Sequence, residues 1–467
     1  MRSRKVAVLG AGTAGLSAAL ALARDGHRVT VVERDPVGAS SPQDAFAWER
    51  RGIPHFLQPH AFIPRGRKEM IEHFPDVYNE LIRSGACDVD LRPKLPGTPV
   101  PGDEDLQYLG ARRPLIEWAL RRAVLAQPGV EVLSSVHVRS IRLERNRLTA
   151  ISVDGRSIDV DVVVDAMGRR SSMRGWLAEL GSQPQAPESS ECGVIYYSRY
   201  YQVRPGLELP DGPWLLSPRG DLGYMAYSSF SGDNGTFAAV LAVPTGVPEM
   251  KIFKDERAFE AAIARIPILR MWVDPELVDP ITPVLPMGGL QNTINCYDET
   301  TPPGLFPTAD AFCHTDPVLA LGLSFSFIHG VQIARALHEH EDLRDAFAAY
   351  AATTMPTLRE RYDFATALDD QRHRTWTGHS VDFAHRTGDY ALFSMVAAGV
   401  AAMLDPEVFR VFARRIGLLD SIRILDNNVP LQERIEKLFS EMLVKPRPRQ
   451  GPMRDEMLAL CRSSMEA

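Results

Sequence analysis

The segment Val6-Ala-Val-Leu-Gly10-Ala-Gly12-Thr-Ala14-Gly15-Leu16, together with Val31-Val32-Glu33-Arg34, constrains this chain more than any other. The apolar run predicts a short buried strand. The glycines that follow allow a tight turn and a close backbone approach to a diphosphate. The alanine-rich stretch from Leu16 to Arg24 predicts a helix, whose first N–H groups and positive dipole end face that diphosphate. A second strand from His27 to Val32 then reaches Glu33, an acid placed to accept a ribose 2′-hydroxyl, with Arg34 beside it. Strand, glycine turn, helix, second strand and terminal acid agree on a dinucleotide cradle, for FAD or NAD. Gly10, Gly12, Ala14, Gly15, Glu33 and Arg34 are its candidate residues.

The 467 residues suffice for two or three domains with a large core. A net charge of −7 gives no electrostatic case for nucleic acid. The one basic cluster, Lys445-Pro-Arg-Pro-Arg449, reads as a solvated linker. Apolar stretches such as Met395 to Leu404 are too short to span a bilayer, and the amino terminus shows no signal-peptide pattern. Cys87, Cys192, Cys296, Cys313 and Cys461 are scattered without a CxxC pair, so no metal knuckle or redox dithiol is expected, and a reduced cytoplasmic setting fits. His338-Glu-His340 has i,i+2 spacing, which splays the two rings apart on a helix and argues against a metal site. Arg359, Arg361, Arg372 and Arg374, interleaved with acids, read as exposed helix faces.

Further along, one helix is expected from Arg67 to Ser84, and another opens at Arg113-Pro-Leu-Ile. Strands are expected at Val130–Leu133, Val136–Glu144, Leu148–Val153 and Ile158–Asp165. Between about 190 and 300 the chain turns β-rich and aromatic. There Gly232-Asp-Asn-Gly235, leading into Thr236-Phe-Ala-Ala-Val, signals a hairpin. Residues 258–271 look helical, a strand and loop return at 304–318, and helices run to the end. The fold class expected is α/β. A Rossmann-like FAD-binding domain (residues 1–185 and 301–345) is interrupted by a β-sheet substrate domain (186–300). A helical region follows (346–467).

Two further constellations support the cradle. Val162-Val-Val-Asp165-Ala-Met-Gly168-Arg-Arg-Ser171 is a strand entering a glycine turn. Gly304-Leu-Phe-Pro-Thr-Ala309-Asp310 is a late strand ending on an acid, followed by Pro317 and Gly322-Leu323-Ser324 at a helix start. A carboxylate at that strand end can accept a ribityl hydroxyl. The N–H groups of the next turn can face a flavin ring and stabilise its negative charge when reduced.

On these residues the chain resembles the group A flavoprotein monooxygenases, of the para-hydroxybenzoate hydroxylase type of fold, over residues 4–340. Asp165-Ala-Met-Gly168 is similar to that family's second fingerprint and Ala309-Asp310 to its third, with Pro317 and Gly322 at the family's offsets. Arg113 matches the Arg opening the helix before the adenine-contacting strand, and Val138 the apolar residue of that strand. Arg51-Gly-Ile-Pro-His-Phe-Leu-Gln58-Pro-His60 resembles a segment of bacterial natural-product oxygenases, polyether epoxidases among them. The chain departs from the pattern where Ala309 and Ala320 replace glycines and where Cys313-His314 replaces a histidine.

The resemblance implies an FAD-dependent monooxygenase that uses NAD(P)H as a transient reductant and O2. The oxidant would be a flavin C4a-(hydro)peroxide, transferring oxygen to a small organic substrate of natural-product type by hydroxylation or epoxidation. It places His60 and His314 near the flavin as candidate proton-transfer groups and makes the aromatic insert the substrate wall. Tyr196, Tyr224, Tyr227 and Phe237 are the candidates there. An FAD-dependent reductase or dehydrogenase without oxygen transfer, and a non-catalytic flavin scaffold, share the same cofactor motifs. A halogenase is disfavoured by the absence of a Trp-x-Trp-x-Ile-Pro segment. The sequence leaves the oligomeric state open.

Overall fold

The computed structural model describes residues 3–466 except 37, 183, 299, 380–389 and 445–449. The basic cluster at 445–449 therefore lies outside the described residues.

The first unit folds as its pattern requires. Strand Lys5–Leu9 leads into helix Thr13–Arg24, and strand Arg28–Glu33 returns parallel to the first. Two glycines leave no alternative residue. Gly10 has φ +105°, and a Cβ there would lie 2.6 Å from the Ala166 carbonyl oxygen. A Cβ on Gly15 would lie 1.8 Å from the Gly10 carbonyl oxygen, so the helix could not pack on its own turn.

Five strands build an all-parallel sheet. Its order is Leu305–Pro307, Val162–Asp165, Lys5–Leu9, Arg28–Glu33 and Val130–Ser134. Residues 162–165 are all buried, as in a strand covered on both faces. The carboxyl ends of these strands share one edge, where open α/β sheets bind ligands. Helices Thr13–Arg24, Arg113–Ala126 and Leu321–Glu339 bury apolar side chains in the main core beside the sheet.

The insert is an antiparallel sheet. Its path runs Arg219–Asp221, Ala226–Ser231, Thr236–Pro244, Val194–Val203 and Val278–Pro280, with Leu285–Met287 also on Val194–Val203. Ala226–Ser231 and Thr236–Pro244 form the expected hairpin. The final helix, Arg454–Glu466, returns to this sheet: Met457, Leu458 and Cys461 join its second core with Phe259 and Ile263.

Several boundaries differ from expectation. The helix expected at 67–84 is two helices, Pro64–His73 and Pro75–Arg83, because Pro75 cannot continue the first. Residues 258–271 split likewise at Pro267 into Glu256–Ile263 and Pro267–Arg270. The run Ile158–Asp165 serves two sheets. Arg156–Asp159 joins a three-stranded antiparallel ribbon, and Val162–Asp165 joins the parallel sheet. The arginines of the long helix Leu343–Trp376 are not all exposed: Arg361 is 3 % exposed, and the Arg372 side chain is only 11 % exposed. Charge alternation described the outer face of that helix but not its inner one. No described helix is long and apolar enough to cross a membrane.

Candidate functional site

The carboxyl edge of the parallel sheet opens into a cavity of about 480 Å³ that continues to the insert sheet. Gly10, Gly12, Ala14, Glu33, Arg34, Arg113 and Val138 line one end. Asp310, His314, Pro317, Gly322, Leu323 and His60 line the middle, and Tyr196 belongs to the far wall. The fold thus gathers residues spread over some 310 positions of sequence. Gly15 and Asp165 lie behind this surface. Asp165 is fully buried and shapes the 165–171 turn, accepting from the Met167 N–H at 3.1 Å and the Ser171 hydroxyl at 2.6 Å. Burial pushes its carboxyl up to about 6.

Two helices point their amino termini at this cavity. Thr13–Arg24 begins after Gly12, and Leu321–Glu339 begins after Ala320. Neither has a side-chain cap or an acid in its first turn. Their first N–H groups are therefore open to a ligand, and both ends carry partial positive charge. Among the described residues no protein donor reaches the Asp310 carboxylate, which leaves it free to accept from a ligand hydroxyl. Diphosphate donors at one end, a free carboxylate in the middle and a second positive helix end beyond it fit an FAD molecule laid along the cavity.

Ala309 and Ala320, where the resemblance expects glycine, hold left-handed backbone, with φ +46° and +53°. Both positions hold a backbone conformation that glycine adopts at least cost. Ala309 is held from behind, its N–H donating to Nδ1 of buried His329 at 3.0 Å. His329 must therefore stay neutral, and burial lowers it to about 3.

Glu33 is more heavily engaged than its strand-end position suggests. It accepts from the Ala11 N–H at 2.7 Å, the Asp35 N–H at 2.9 Å and Nη2 of Arg50 at 2.8 Å. Arg50 also donates to Asp35 at 3.0 Å, to Glu117 at 3.0 Å and to the Ala11 carbonyl at 3.1 Å. Glu117 in turn accepts from Arg113 at 2.8 Å. Burial disfavours the Arg50 charge, but Glu117, Glu33 and Asp35 outweigh it and raise its pKa. Sequence reasoning missed Arg50, and nothing local marks it, since its partners come from three separate segments.

Three histidines, His55, His60 and His314, share the cavity with Arg113 and Arg169. Burial, followed by the charge of Arg113, holds His55 well below the ordinary histidine range and brings His60 to about 3. Burial also lowers His314. All three are neutral hydrogen-bonding groups at pH 7 and not cations. His60 is oriented by a 2.7 Å contact between Nδ1 and the Gln58 carbonyl.

Of the four aromatic candidates in the insert, only Tyr196 reaches the cavity. Tyr227 and Phe237 face the opposite side of their strands, in a second core with Tyr197, Tyr201 and Trp272. Tyr224 also belongs to that core and donates to the Pro452 carbonyl at 2.8 Å. Ser228, Phe230 and Val240 occupy the cavity face in their place, with Met287 and Leu290. Alternation was legible in these strands, but which phase faced the cavity was not. The far face is covered by Glu256–Ile263 and Arg454–Glu466, and the latter lies some two hundred residues away in sequence.

Comparison with known proteins agrees with this geometry. Residues 5–114 match the family described as FAD dependent oxidoreductase. Protein Rv3254 of Mycobacterium tuberculosis is 25 % identical over 468 residues, covering 91 % of each chain. A kynurenine 3-monooxygenase of Stenotrophomonas maltophilia is 26 % identical, over 76 % of this chain and 77 % of its own. The structure of PqsL from Pseudomonas aeruginosa, described as a probable FAD-dependent monooxygenase, superposes with a TM-score of 0.58 at 16 % identity, covering 80 % of this chain and 98 % of that one. Flavin-dependent halogenases share this fold as well.

Proposed function

We propose, from a chain that carries an FAD-dependent oxidoreductase domain and the fold of the group A flavin monooxygenases, that it is a monooxygenase. It would take electrons from NAD(P)H and transfer oxygen from O2 to a small, mostly apolar organic substrate. The observation that carries this reading is the pair of uncapped helix amino termini opening on one cavity, with the unpaired Asp310 carboxylate between them. When bound, FAD supplies the redox and oxygen chemistry; the protein's part is binding, orientation and exclusion of water.

The residues divide that work by position. Backbone N–H groups of Gly12, Thr13 and Ala14 cradle the diphosphate, with Arg34 and Arg113 beside it. Glu33, fixed by Arg50, would offer its one remaining lone pair, on Oε1, to the adenosine ribose, and Asp310 would accept from the ribityl chain. The amino terminus of Leu321–Glu339, open on the cavity, would hold the flavin and favour its reduced, negative form. At the insert end of the cavity, Phe230, Val240, Met287 and Leu290 would form an apolar chamber for the substrate. Neutral His60 and His314, which line the same cavity, would serve as proton donors or acceptors toward a ligand there.

The test is the absorbance spectrum of the purified protein, followed by anaerobic titration with NADH and with NADPH and rapid mixing of the reduced protein with oxygenated buffer. A bound flavin that either nucleotide reduces, and that reoxidises in two resolved phases, supports the monooxygenase reading. Single-phase reoxidation, with and without added aromatic ligands, points to a reductase or dehydrogenase. Absence of flavin ends the cofactor assignment.

A further inference from the structure

At the far wall of the cavity, where Tyr196 and Asp316 both line it, a buried polar cluster begins that the cofactor reading does not use. Asp316, in the turn before Pro317, and Asp369, on the helix Leu343–Trp376, bring carboxyl oxygens within 4.8 Å of each other and of the Cys192 thiol, and all three residues are buried. Arg372 is the cation of the cluster, 2.7 Å from each carboxyl group and 2.9 Å from the Cys192 carbonyl. Asn292 bridges the pair. Its amide donates to Asp369 at 2.7 Å, and its oxygen accepts from the Asp316 N–H at 2.7 Å. The Tyr196 hydroxyl meets Asp316 Oδ1 at 2.5 Å, where the Val318 N–H also arrives at 3.0 Å. A metal ion has no place here, because the guanidinium already supplies the positive charge.

The protons of this cluster can be assigned. Two buried carboxyls against one cation can hold one negative charge, so one of them keeps its proton. Asp316, facing the Arg372 cation, the Tyr196 hydroxyl and the Val318 N–H, is the ionised member; Asp369, buried beside it, is the acid, raised to about 7. Burial and the charge on Asp316 push the Tyr196 phenol well above its usual range, so it keeps its hydrogen. A carboxylate cannot donate, so Tyr196 is the donor to Asp316 and its single hydrogen is committed there.

We propose that the buried Asp316–Asp369 pair fixes Tyr196 as an acceptor-only group of the cavity wall, so that a ligand must bring a hydroxyl or N–H donor to it. The ligand class is then an apolar ring system bearing one hydroxyl or amine, its body against Phe230, Val240, Met287 and Leu290. This inference rests on the insert end of the cavity being the substrate chamber. Tyr196 is the specificity residue. Asp316 and Asp369 are positioning residues that act through it.

The probes are 1-naphthol and 1-methoxynaphthalene, equal in apolar body and different in the donor. Calorimetric titration of the FAD-loaded protein is expected to favour the naphthol by about tenfold, the worth of one hydrogen bond in a dry site. Tyr196→Phe abolishes the preference. Asp316→Asn narrows it, because an amide can donate back to the phenol and free its hydrogen. Asp369→Asn retains it, since its amide can donate to Asp316. The infrared C–O stretch of Tyr196, assigned by difference against Tyr196→Phe, reports a donor in wild type and in Asp369→Asn and shifts in Asp316→Asn. Equal affinity for the two probes in wild type, binding of neither, or a preference that survives Tyr196→Phe overturns the inference. The phenol is oriented by protein groups alone, so a wild type that bound no FAD but kept the preference would overturn the cofactor reading and leave this one standing.

Discussion

Arg50→Met removes the cation from the quartet under the dinucleotide end of the cavity, and its cost can be worked from the geometry. The Arg50 side chain is 1 % exposed, with its carboxylate partners Glu33, Asp35 and Glu117 at 6 %, 6 % and 0 %. Breaking one buried ion pair by deleting a partner costs about 3–5 kcal/mol, most of it the stranded charge. Glu117 keeps Arg113, and Asp35 keeps the Gly52 N–H, so the loss does not triple. A total of about 3–5 kcal/mol is expected, a large part of a typical domain's 5–15 kcal/mol. The cation–π contact of Arg50 over Trp48, at 5.0 Å, adds about 1 kcal/mol at most. The assay is the urea unfolding midpoint of the cofactor-stripped protein, so that lost FAD affinity does not enter. Arg50→Lys keeps the charge but not the fork, and is expected to lose roughly half as much. Asp35→Asn in the Arg50→Met background should recover part of the loss by removing one stranded charge. A loss below about 1 kcal/mol in Arg50→Met would refute the assignment of the quartet as an electrostatic keystone of the cradle.

Other outcomes follow from the same structure. Ala320→Gly relieves about 1–2 kcal/mol of left-handed strain against about 0.4–1 kcal/mol of added chain entropy, so the urea midpoint should rise slightly. Ala320→Val should lower it, and the opposite order would show that the turn is not strained. His329 has a folded pKa lowered to about 3 from 6.5, so its contribution to stability is full above pH 6.5 and is lost as pH falls from there towards 3. His329→Gln should flatten the pH dependence of unfolding between pH 6 and 4 by about 1.4 kcal/mol per pH unit, and an unchanged slope would contradict a neutral acceptor. Asp310→Ala should weaken FAD binding by about 1.5–3 kcal/mol, read as the dissociation constant from flavin fluorescence. Glu33→Arg should leave little flavin on the purified protein. Wild-type flavin occupancy in either variant would remove that residue from the cofactor site.

Local pattern was enough for the βαβ cradle and the parallel sheet. Gly10 and Gly15 are demanded by contacts within a few residues or with the next strand, and an apolar run buried on both faces reads the same wherever it sits. Glu33 was legible because its place follows from where a strand stops; Asp310 was expected at a strand end but lies in the turn Ala309–Ala311, past the strand Leu305–Pro307. Prolines at 75 and 267 divided helices that apolar periodicity alone would have continued.

What tertiary structure decided was which face and which partner. Period two puts Tyr227 and Phe237 on one side of the insert and Ser228 and Val240 on the other, but the choice of cavity side belongs to the helices that cover the opposite face, the last of them at 454–466. Arg50 and Arg372 look like ordinary solvated cations in sequence. They became centres of charge clusters because their acids arrive from segments 15 to 67 positions away in the first case, and in the second from both the same helix turn and a distant loop. Local sterics write themselves into short stretches of residues, whereas long-range charge pairing and the phase of a sheet are settled only when the whole chain has packed.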